Sequence, residues 1–257
     1  VLAAMGYQNV SLFIGGVAAW GDAGFEVFSG VNVPSKAFGE FVEHTYDTPR
    51  VPPEKLKEMI DAGEDLVVLD SRPMSEYHAM NIPLGVDVPG AELVLRVHDL
   101  APDPATTVVV NCAGRTRSII GCQSLRNAGI PNKVIALENG TMGWHLAGFD
   151  LEYGNNRRYG DLSIDGLSVA MKRAADVRER FGVKSIDADM LAAWQADTSR
   201  TTYVMDVRDP AEFAAAHVQG ARPAPGGQLV QATDRYVGTL GARIVCVDDN
   251  GVRATMT

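Results

Sequence analysis

The sequence has few cysteines, no excess of positive charge and no long apolar run. Its 257 residues include three cysteines, without a Cys-x-x-Cys pair or a Cys/His cluster, so neither a disulfide framework nor a metal site is expected. Such sparing use of cysteine favours a reducing, cytoplasmic compartment. Acidic residues outnumber Lys and Arg by 32 to 23, and the net charge of −9 argues against a nucleic-acid partner or an anionic membrane. No apolar run approaches the length of a membrane span.

The length fits one large domain or two ordinary ones. Because the chain begins at Val1 rather than at a methionine, we expect it to be a piece of a longer protein. The absence of a leader peptide therefore carries no weight.

An internal repeat divides the chain. The stretch "LVVLDSRPMSEYHAMNI" (66–82) resembles "TYVMDVRDPAEFAAAHV" (202–218), at an offset of 136 residues (206 minus 70). Four positions recur at this offset: Asp70 and Asp206, Arg72 and Arg208, Glu76 and Glu212, Arg117 and Arg253. A second similarity, between "GGVAAWGDAGF" (15–25) and "NGTMGWHLAGF" (139–149), matches Trp20 with Trp144.

These similarities predict three repeat units and two linkers. We expect the C-terminal part of one unit at 1–28, a linker helix at 29–49, a complete domain at 50–153, a second linker helix at 154–184, and the N-terminal part of a third unit at 185–257. The linkers are expected to be polar helices packed outside the sheets.

Short β-branched runs alternate with helix-like segments. "LVVLD", "TVVVN" and "KVIAL" have the pattern of strands buried on both faces. "PPEKLKEMIDAG" opens with proline and ends in glycine, and "RSIIGCQSLRNAG" also ends in glycine, as helices often do. The pattern predicts an α/β fold with a mostly parallel central sheet flanked by helices. In the first unit, "NVSLFIGG" predicts a further strand.

The stretch "VVVNCAGRTRSIIGC" (108–122) places one thiol, Cys112, between a buried strand and the following helix. In open α/β sheets this edge binds ligands. Backbone amides of a small-residue loop, a helix N-terminus and two arginines all favour an anion there. We therefore expect Cys112 to exist largely as a thiolate and to act as a nucleophile. Cys122, inside the helix, and Cys246, within the strand "RIVCV", are expected to be buried and inert.

Three motifs carry a family resemblance. "DSRPMSEYHAMNIP", "VVVNCAGRTRS" and "ALENGTMGWHLAGFD" together resemble the rhodanese-like sulfurtransferases, and the resemblance covers the whole chain as complete or partial units. It implies rhodanese-like domains and a thiosulfate sulfurtransferase that moves sulfur through a cysteine persulfide, without a separate cofactor, to cyanide or another thiophilic acceptor. Carried onto this sequence, Cys112 bears the sulfur and the remaining loop residues form the substrate cradle: Ala113, Gly114, Arg115, Thr116 and Arg117. Arg115 and Arg117 are the expected contacts to a small anionic donor.

Loop length and nearby charges refine this expectation. The C-x4-R loop is one residue shorter than the C-x5-R loop of phosphatases of related fold, which favours sulfur over a tetrahedral phosphate. Asp70, Arg72 and Glu76 are interpreted as structural groups that hold the strand end and the loop through charge-assisted hydrogen bonds. Met80 and Asn81 depart from the family's usual Gly-His, a change that we expect to leave catalysis intact.

The third unit differs at the decisive position. At the offset of 136, Asp248 stands in the place of Cys112, and Asp249 follows it. A carboxylate cannot accept sulfur, so this unit is predicted to be inactive, with a structural or partner-recognition role. This substitution keeps open an alternative function, a non-catalytic binding or regulatory module. The two incomplete terminal units are also expected to pack together, either within one molecule or between symmetric copies through self-association, since each alone would expose a sheet edge.

Overall fold

The computed structural model describes residues 1–25, 27 and 31–257, which form two units, Val1–Val33 and Pro34–Thr257. The first unit contains a 3-10 helix at Ala3–Met5 and helix α1 at Gly16–Asp22.

The strand expected at "NVSLFIGG" is not formed, and that prediction is wrong: residues 9–13 have no strand pairing. A strand needs a neighbour to satisfy its backbone groups, and no other strand lies in the described part of this unit. The second similarity in sequence is confirmed locally. The rings of Trp20 and Phe25 lie 4.5 Å apart, and those of Trp144 and Phe149 lie 4.9 Å apart.

The second unit begins with the elements of the middle repeat. Its strands are β1 (Arg50–Val51), β2 (Leu66–Asp70), β3 (Val86–Asp87), β4 (Thr107–Asn111) and β5 (Val134–Leu137). All pair in parallel, in the order β1-β5-β4-β2-β3. Its helices are α2 (Val33–Tyr46), α3 (Pro53–Asp61), α4 (Met74–Ala79), α5 (Leu93–Leu100), α6 (Thr116–Asn127) and α7 (Gly140–Leu146), with a 3-10 turn at Gly90–Glu92. The mostly parallel α/β sheet flanked by helices is confirmed.

Each face of this sheet is buried, which explains the continuous apolar runs of its strands. On one face, Val68 and Val109 pack with Leu56 of α3 and Trp144 of α7. The opposite face carries the larger core, in which strand residues pack under α5 and α6: Leu69, Val108, Val110, Val134 and Ala136.

The third repeat follows a long connecting helix. The remaining elements are α8 (Ile164–Phe181), α9 (Ala188–Ala196), β6 (Thr202–Asp206), α10 (Pro210–Ala215), β7 (Arg222–Pro223), α11 (Gly226–Gln231), α12 (Thr233–Tyr236), β8 (Arg243–Val247) and α13 (Val252–Met256). The sheet order is β7-β6-β8, again parallel. Thr202 lies opposite Arg243 and Leu66 opposite Thr107, so the strand register itself repeats at the offset of 136.

Helix α8 joins the two repeats through a stripe of small apolar residues. Ala170, Ala174 and Val177 are buried at spacings of four and three residues and pack in one core with α5 and with Val252 of α13. The side chain of Ser163 caps the start of α8 by accepting a hydrogen bond from the N–H of Gly166. The middle and third repeats therefore share a hydrophobic core. No helix in the described residues has the length and apolar character to cross a bilayer.

Helix α7 holds the loop that follows β4. The N–H of Thr141 donates to the carbonyl of Cys112 at 2.8 Å, and that of Met142 donates to the carbonyl of Ala113 at 3.0 Å. This approach requires glycine at position 140: Gly140 has a φ of +52°, and a Cβ there would lie 2.1 Å from the Cys112 carbonyl oxygen.

The substitution Gly140→Ala is expected to destabilise the protein by about 3 kcal/mol or more, because it combines backbone strain with a clash against fixed backbone. The matched control is Gly129→Ala, since Gly129 has a φ of +66° but open space around a Cβ. That variant should lose only about 1 kcal/mol. Urea denaturation of both variants measures the difference, and equal losses would show that the close approach at Gly140 is unimportant.

Candidate active site

Cys112 lies directly after β4, at the carboxyl edge of the sheet. The residue is 2% exposed, and its Sγ lies 3.5 Å from the hydroxyl oxygen of Ser118. That hydroxyl in turn donates to the carbonyl of Arg115 at 2.8 Å. Because a hydroxyl hydrogen can rotate, Ser118 can also donate to a negatively charged sulfur.

A buried ion pair fixes the neighbouring strand end. The Arg72 guanidinium donates to both oxygens of Asp70, at 2.9 Å from Nε and 2.8 Å from Nη2, and also to the carbonyl of Met80 at 2.7 Å. The side-chain amide of Asn111, the residue before Cys112, donates to the same Asp70 carboxylate at 2.9 Å. The structural interpretation of Asp70 and Arg72 is confirmed.

Arg117, on the first turn of α6, is held by Glu76. Its two terminal nitrogens donate to the two carboxylate oxygens at 2.8 and 2.7 Å. Burial raises the pKa of Glu76, but the hydrogen bonds and charge of Arg117 outweigh it, so this pKa lies below its usual value. Burial lowers the pKa of Arg117, and Glu76 more than offsets that effect. The negative charge of a Cys112 thiolate raises the Arg117 pKa further, so Arg117 and Cys112 are electrostatically linked.

Arg115, the other predicted anion contact, is held from α2. It donates to both oxygens of Glu40, at 2.8 and 3.0 Å, and also to Glu43. The hydrogen bond from Arg115 lowers the pKa of Glu40. A Cβ on Gly39 would lie 3.0 Å from Thr116, so α2 packs tightly on the loop.

Sequence reasoning missed these two glutamates. It treated 29–49 as a linker helix outside the sheet, although α2 contacts the loop directly. The available signal was "GEFVE", in which two acids one turn apart share a helix face beside a glycine.

The other cysteines have different surroundings. Burial raises the pKa of Cys122 to about 12 and that of Cys246 to about 11. These shifts favour the protonated form of both thiols near neutral pH. Cys122 is buried as expected, whereas Cys246 is only partly buried.

The equivalent loop of the third repeat holds an anion of its own. The Asp248 carboxylate accepts hydrogen bonds from the N–H groups of Gly251 at 2.8 Å, Arg253 at 2.9 Å and Ala254 at 3.3 Å. These donors correspond, at the offset of 136, to Arg115, Arg117 and Ser118. The loop backbones differ at the first pair, since φ is −128° at Arg115 and +77° at Gly251. The helix-start donors in this loop nevertheless converge on a negative group at the position of Cys112.

Across the described residues, no group of three or more His, Cys, Asp or Glu side chains is placed to hold a metal ion. The loop itself offers a thiol, backbone amides and guanidinium groups.

Comparisons with known proteins agree with this geometry. The solved structure of thiosulfate sulfurtransferase from Pseudomonas aeruginosa is 56% identical, with a TM-score of 0.95, covering 99% of this chain and 49% of that chain. An HTH-type transcriptional regulator of Mycobacterium tuberculosis is 33% identical over 103 residues, 39% of this chain and 43% of the regulator. YrkF of Bacillus subtilis, whose name assigns it a provisional sulfur-carrier role, is 28% identical over 102 residues, 40% of this chain and 54% of YrkF.

This chain spans about half the length of each of these relatives. The rhodanese-like domain family matches residues 52–147 and 187–257, which correspond to the middle and third repeats. The chain belongs to the rhodanese-like domain family.

Proposed function

We propose that this chain is a sulfurtransferase in which Cys112 takes the outer sulfur of thiosulfate and passes it to cyanide or another thiophilic acceptor. The observation that carries the proposal is the difference between the equivalent loops of the middle and third repeats. Where the third repeat has a carboxylate bound by loop amides, the middle repeat has a thiol, flanked by Arg115 and Arg117. The 56% identity to a thiosulfate sulfurtransferase over 99% of this chain supports the same activity.

The reaction balances as two displacements. The Cys112 thiolate attacks the outer sulfur of thiosulfate, a sulfur–sulfur bond forms to the cysteine, and sulfite leaves with the electron pair of the broken bond. Cyanide then attacks the outer sulfur of the persulfide, so that thiocyanate forms and the thiolate is restored. No oxidant, metal or organic cofactor takes part in either step.

The loop residues have separate roles in this scheme. The N-terminus of α6 and the Ser118 hydroxyl stabilise negative charge on the cysteine or its persulfide. Arg117 supplies positive charge to the anionic donor from a fixed position, because Glu76 orients it through two hydrogen bonds. Arg115, held by Glu40 and Glu43, adds a second guanidinium to the loop, and Ala113, Gly114 and Thr116 keep the loop small. Since the mechanism needs a free thiolate, a reducing cytoplasmic setting suits it.

The third repeat serves a non-catalytic role in this proposal. Asp248 provides no sulfur-accepting atom, and it already accepts the amide hydrogen bonds of its loop. The regulatory-module alternative thus applies to this repeat and not to the middle one. Its shared core with α5 and α8 suits a supporting role.

The sparse strand pairing at the chain's ends also favours self-association. In the third repeat, β8 pairs with β6 on one side only among the described strands. The first unit exposes Leu12, Ile14 and Val17. We infer that a second copy of the chain covers these surfaces.

Replacing Cys112 tests the proposed function. Cys112→Ser is expected to reduce thiosulfate:cyanide sulfur transfer to below about 1% of wild type, because serine cannot carry the sulfur as a persulfide. Mass spectrometry after thiosulfate treatment should find one added sulfur on the Cys112 peptide of the wild type and none in the variant. The controls Cys122→Ala and Cys246→Ala should keep most activity. Turnover in Cys112→Ser would rule the mechanism out.

A cysteine at position 248 should not restore the reaction. In a Cys112→Ser background, Asp248→Cys is expected to stay below about 1% of wild-type turnover, because the carboxylates of Glu212, Glu92 and Asp249 already neutralise Arg253. The assay is thiocyanate formation, with circular dichroism to verify folding. Activity well above background would mean that the loop charges are unimportant.

Self-association is tested by sedimentation velocity. The wild-type chain should show a concentration-dependent dimer, and Ile14→Glu should shift the population toward monomer, because the charge would be costly in an apolar contact. The control Lys57→Glu introduces the same residue at a solvent-accessible position of α3 that belongs to neither surface. A wild type that stays monomeric at every concentration would refute the inference.

A further inference from the structure

The middle and third repeats contact each other in a reciprocal way. Arg117 of the middle repeat reaches toward the side-chain oxygen of Gln228, at 3.5 Å, and Arg253 of the third repeat donates to Glu92 at 2.7 Å. Both pairs are related by the same offset, since Arg117 corresponds to Arg253 and Glu92 to Gln228. Each repeat thus offers one side chain to the loop arginine of the other.

Small residues allow the two repeats to approach closely enough for these contacts. A Cβ on Gly227 would lie 2.9 Å from the backbone nitrogen of Gly90, and a Cβ on Gly226 would lie 2.7 Å from the Ala91 side chain. The two backbones therefore touch next to Glu92 and Gln228. At such close range, the charge at these two positions acts directly on the arginine across the interface.

The two arginines differ in the charge that surrounds them. Arg253 contacts three carboxylates, those of Glu212, Glu92 and Asp249, at 2.6, 2.7 and 3.3 Å. Arg117 has the Glu76 carboxylate and, across the interface, the neutral amide of Gln228. The positive charge of Arg117, beside the thiol, is therefore offset by fewer carboxylates than that of Arg253, beside Asp248.

We propose that Gln228, supplied by the third repeat, assists sulfur transfer at Cys112 by acting through Arg117 as an uncharged neighbour. It borders Arg117 without neutralising it, and so preserves the positive charge that an anionic sulfur donor meets. This inference rests on the function proposed above. It assigns the third repeat a part in donor recognition.

The substitution Gln228→Glu tests the inference, since it keeps the size of the side chain and copies the Glu92–Arg253 contact. We expect kcat/KM for thiosulfate to fall about tenfold, mainly through a higher KM, with a weaker dependence on salt concentration. The thermal midpoint should stay the same or rise, because a new ion pair forms. Activity would then fall without any loss of stability, which unfolding cannot produce.

Two matched variants separate charge from packing. Gln228→Met is neutral and similar in size, so its kcat/KM should stay within about twofold of wild type. Glu92→Gln makes the mirror change beside Arg253, and it should leave sulfur transfer unchanged while lowering the thermal midpoint, since Glu92 is buried between Arg96 and Arg253. Equal losses in Gln228→Glu and Gln228→Met, or unchanged kinetics in Gln228→Glu, would overturn the proposal.

A second measurement does not depend on sulfur transfer. The rate at which anionic iodoacetate alkylates Cys112, divided by the rate for neutral iodoacetamide, reports the local potential. This ratio should fall about threefold or more in Gln228→Glu and stay near the wild-type value in Gln228→Met. An unchanged ratio in Gln228→Glu would overturn the inference. If the wild type failed to accept sulfur from thiosulfate while the ratio still fell, the proposed function would fail and the electrostatic role of Gln228 would stand.

Discussion

The buried fork between Asp70 and Arg72 is the interaction on which the site depends. Both side chains are about 1% exposed, so either charge alone would be very costly in this position. Together they bind the end of β2, the end of α4 through the Met80 carbonyl, and Asn111 at the end of β4. The residue that follows Asn111 is Cys112, so the fork fixes the point from which the loop departs.

The third repeat contains the same fork with nearly the same dimensions. Arg208 donates to Asp206 at 2.9 and 2.7 Å, and to the Ala216 carbonyl at 2.6 Å. Ala216 corresponds to Met80 at the offset of 136. The fork is therefore common to both repeats, whereas the residue before the loop (Asn111 or Val247), the loop backbone and the loop charges differ. The same fork thus precedes a thiol in one repeat and a carboxylate bound by its own loop in the other.

Much of this arrangement is predictable from local sequence. The runs "LVVLD" and "TVVVN" predicted β2 and β4 at their observed bounds, because a strand buried on both faces requires an uninterrupted apolar run. The repeat predicted the equivalence of Arg117 and Arg253, and the burial of Cys122 followed from its place in a helix. Cys246 is only partly buried, because among the described strands β8 lies at a sheet edge. The role of the loop residues as a substrate cradle stays a prediction.

Contacts between distant segments were not predictable in this way. Arg115 meets Glu40 across 75 residues of sequence, and Arg117 meets Gln228 across 111. Periodicity indicates that a helix has a polar face but not which loop that face contacts.

The repeat indicated that Asp248 replaces the thiol, and from it we expected repulsion of an anionic donor. The structure adds that the carboxylate turns into its own loop and accepts the amide hydrogen bonds there. The strand predicted in the first unit did not form, because a strand needs a pairing partner and local sequence does not reveal whether one is present.

In the proposed function, two physical demands conflict at Arg117. A buried guanidinium requires counter-charge, since its desolvation is costly, whereas recognition of an anion requires that some positive charge remain unbalanced. The two repeats meet these demands separately. Arg253, 2% exposed, is surrounded by carboxylates and strengthens the interface, and Arg117, 10% exposed, is oriented by one carboxylate and bordered by an amide. The shared core of α5, α8 and α13 holds the interface together without needing a full set of charges at Arg117. In the proposed function, packing the repeat that lacks the thiol against the repeat that carries it thus allows Arg117 to stay incompletely neutralised.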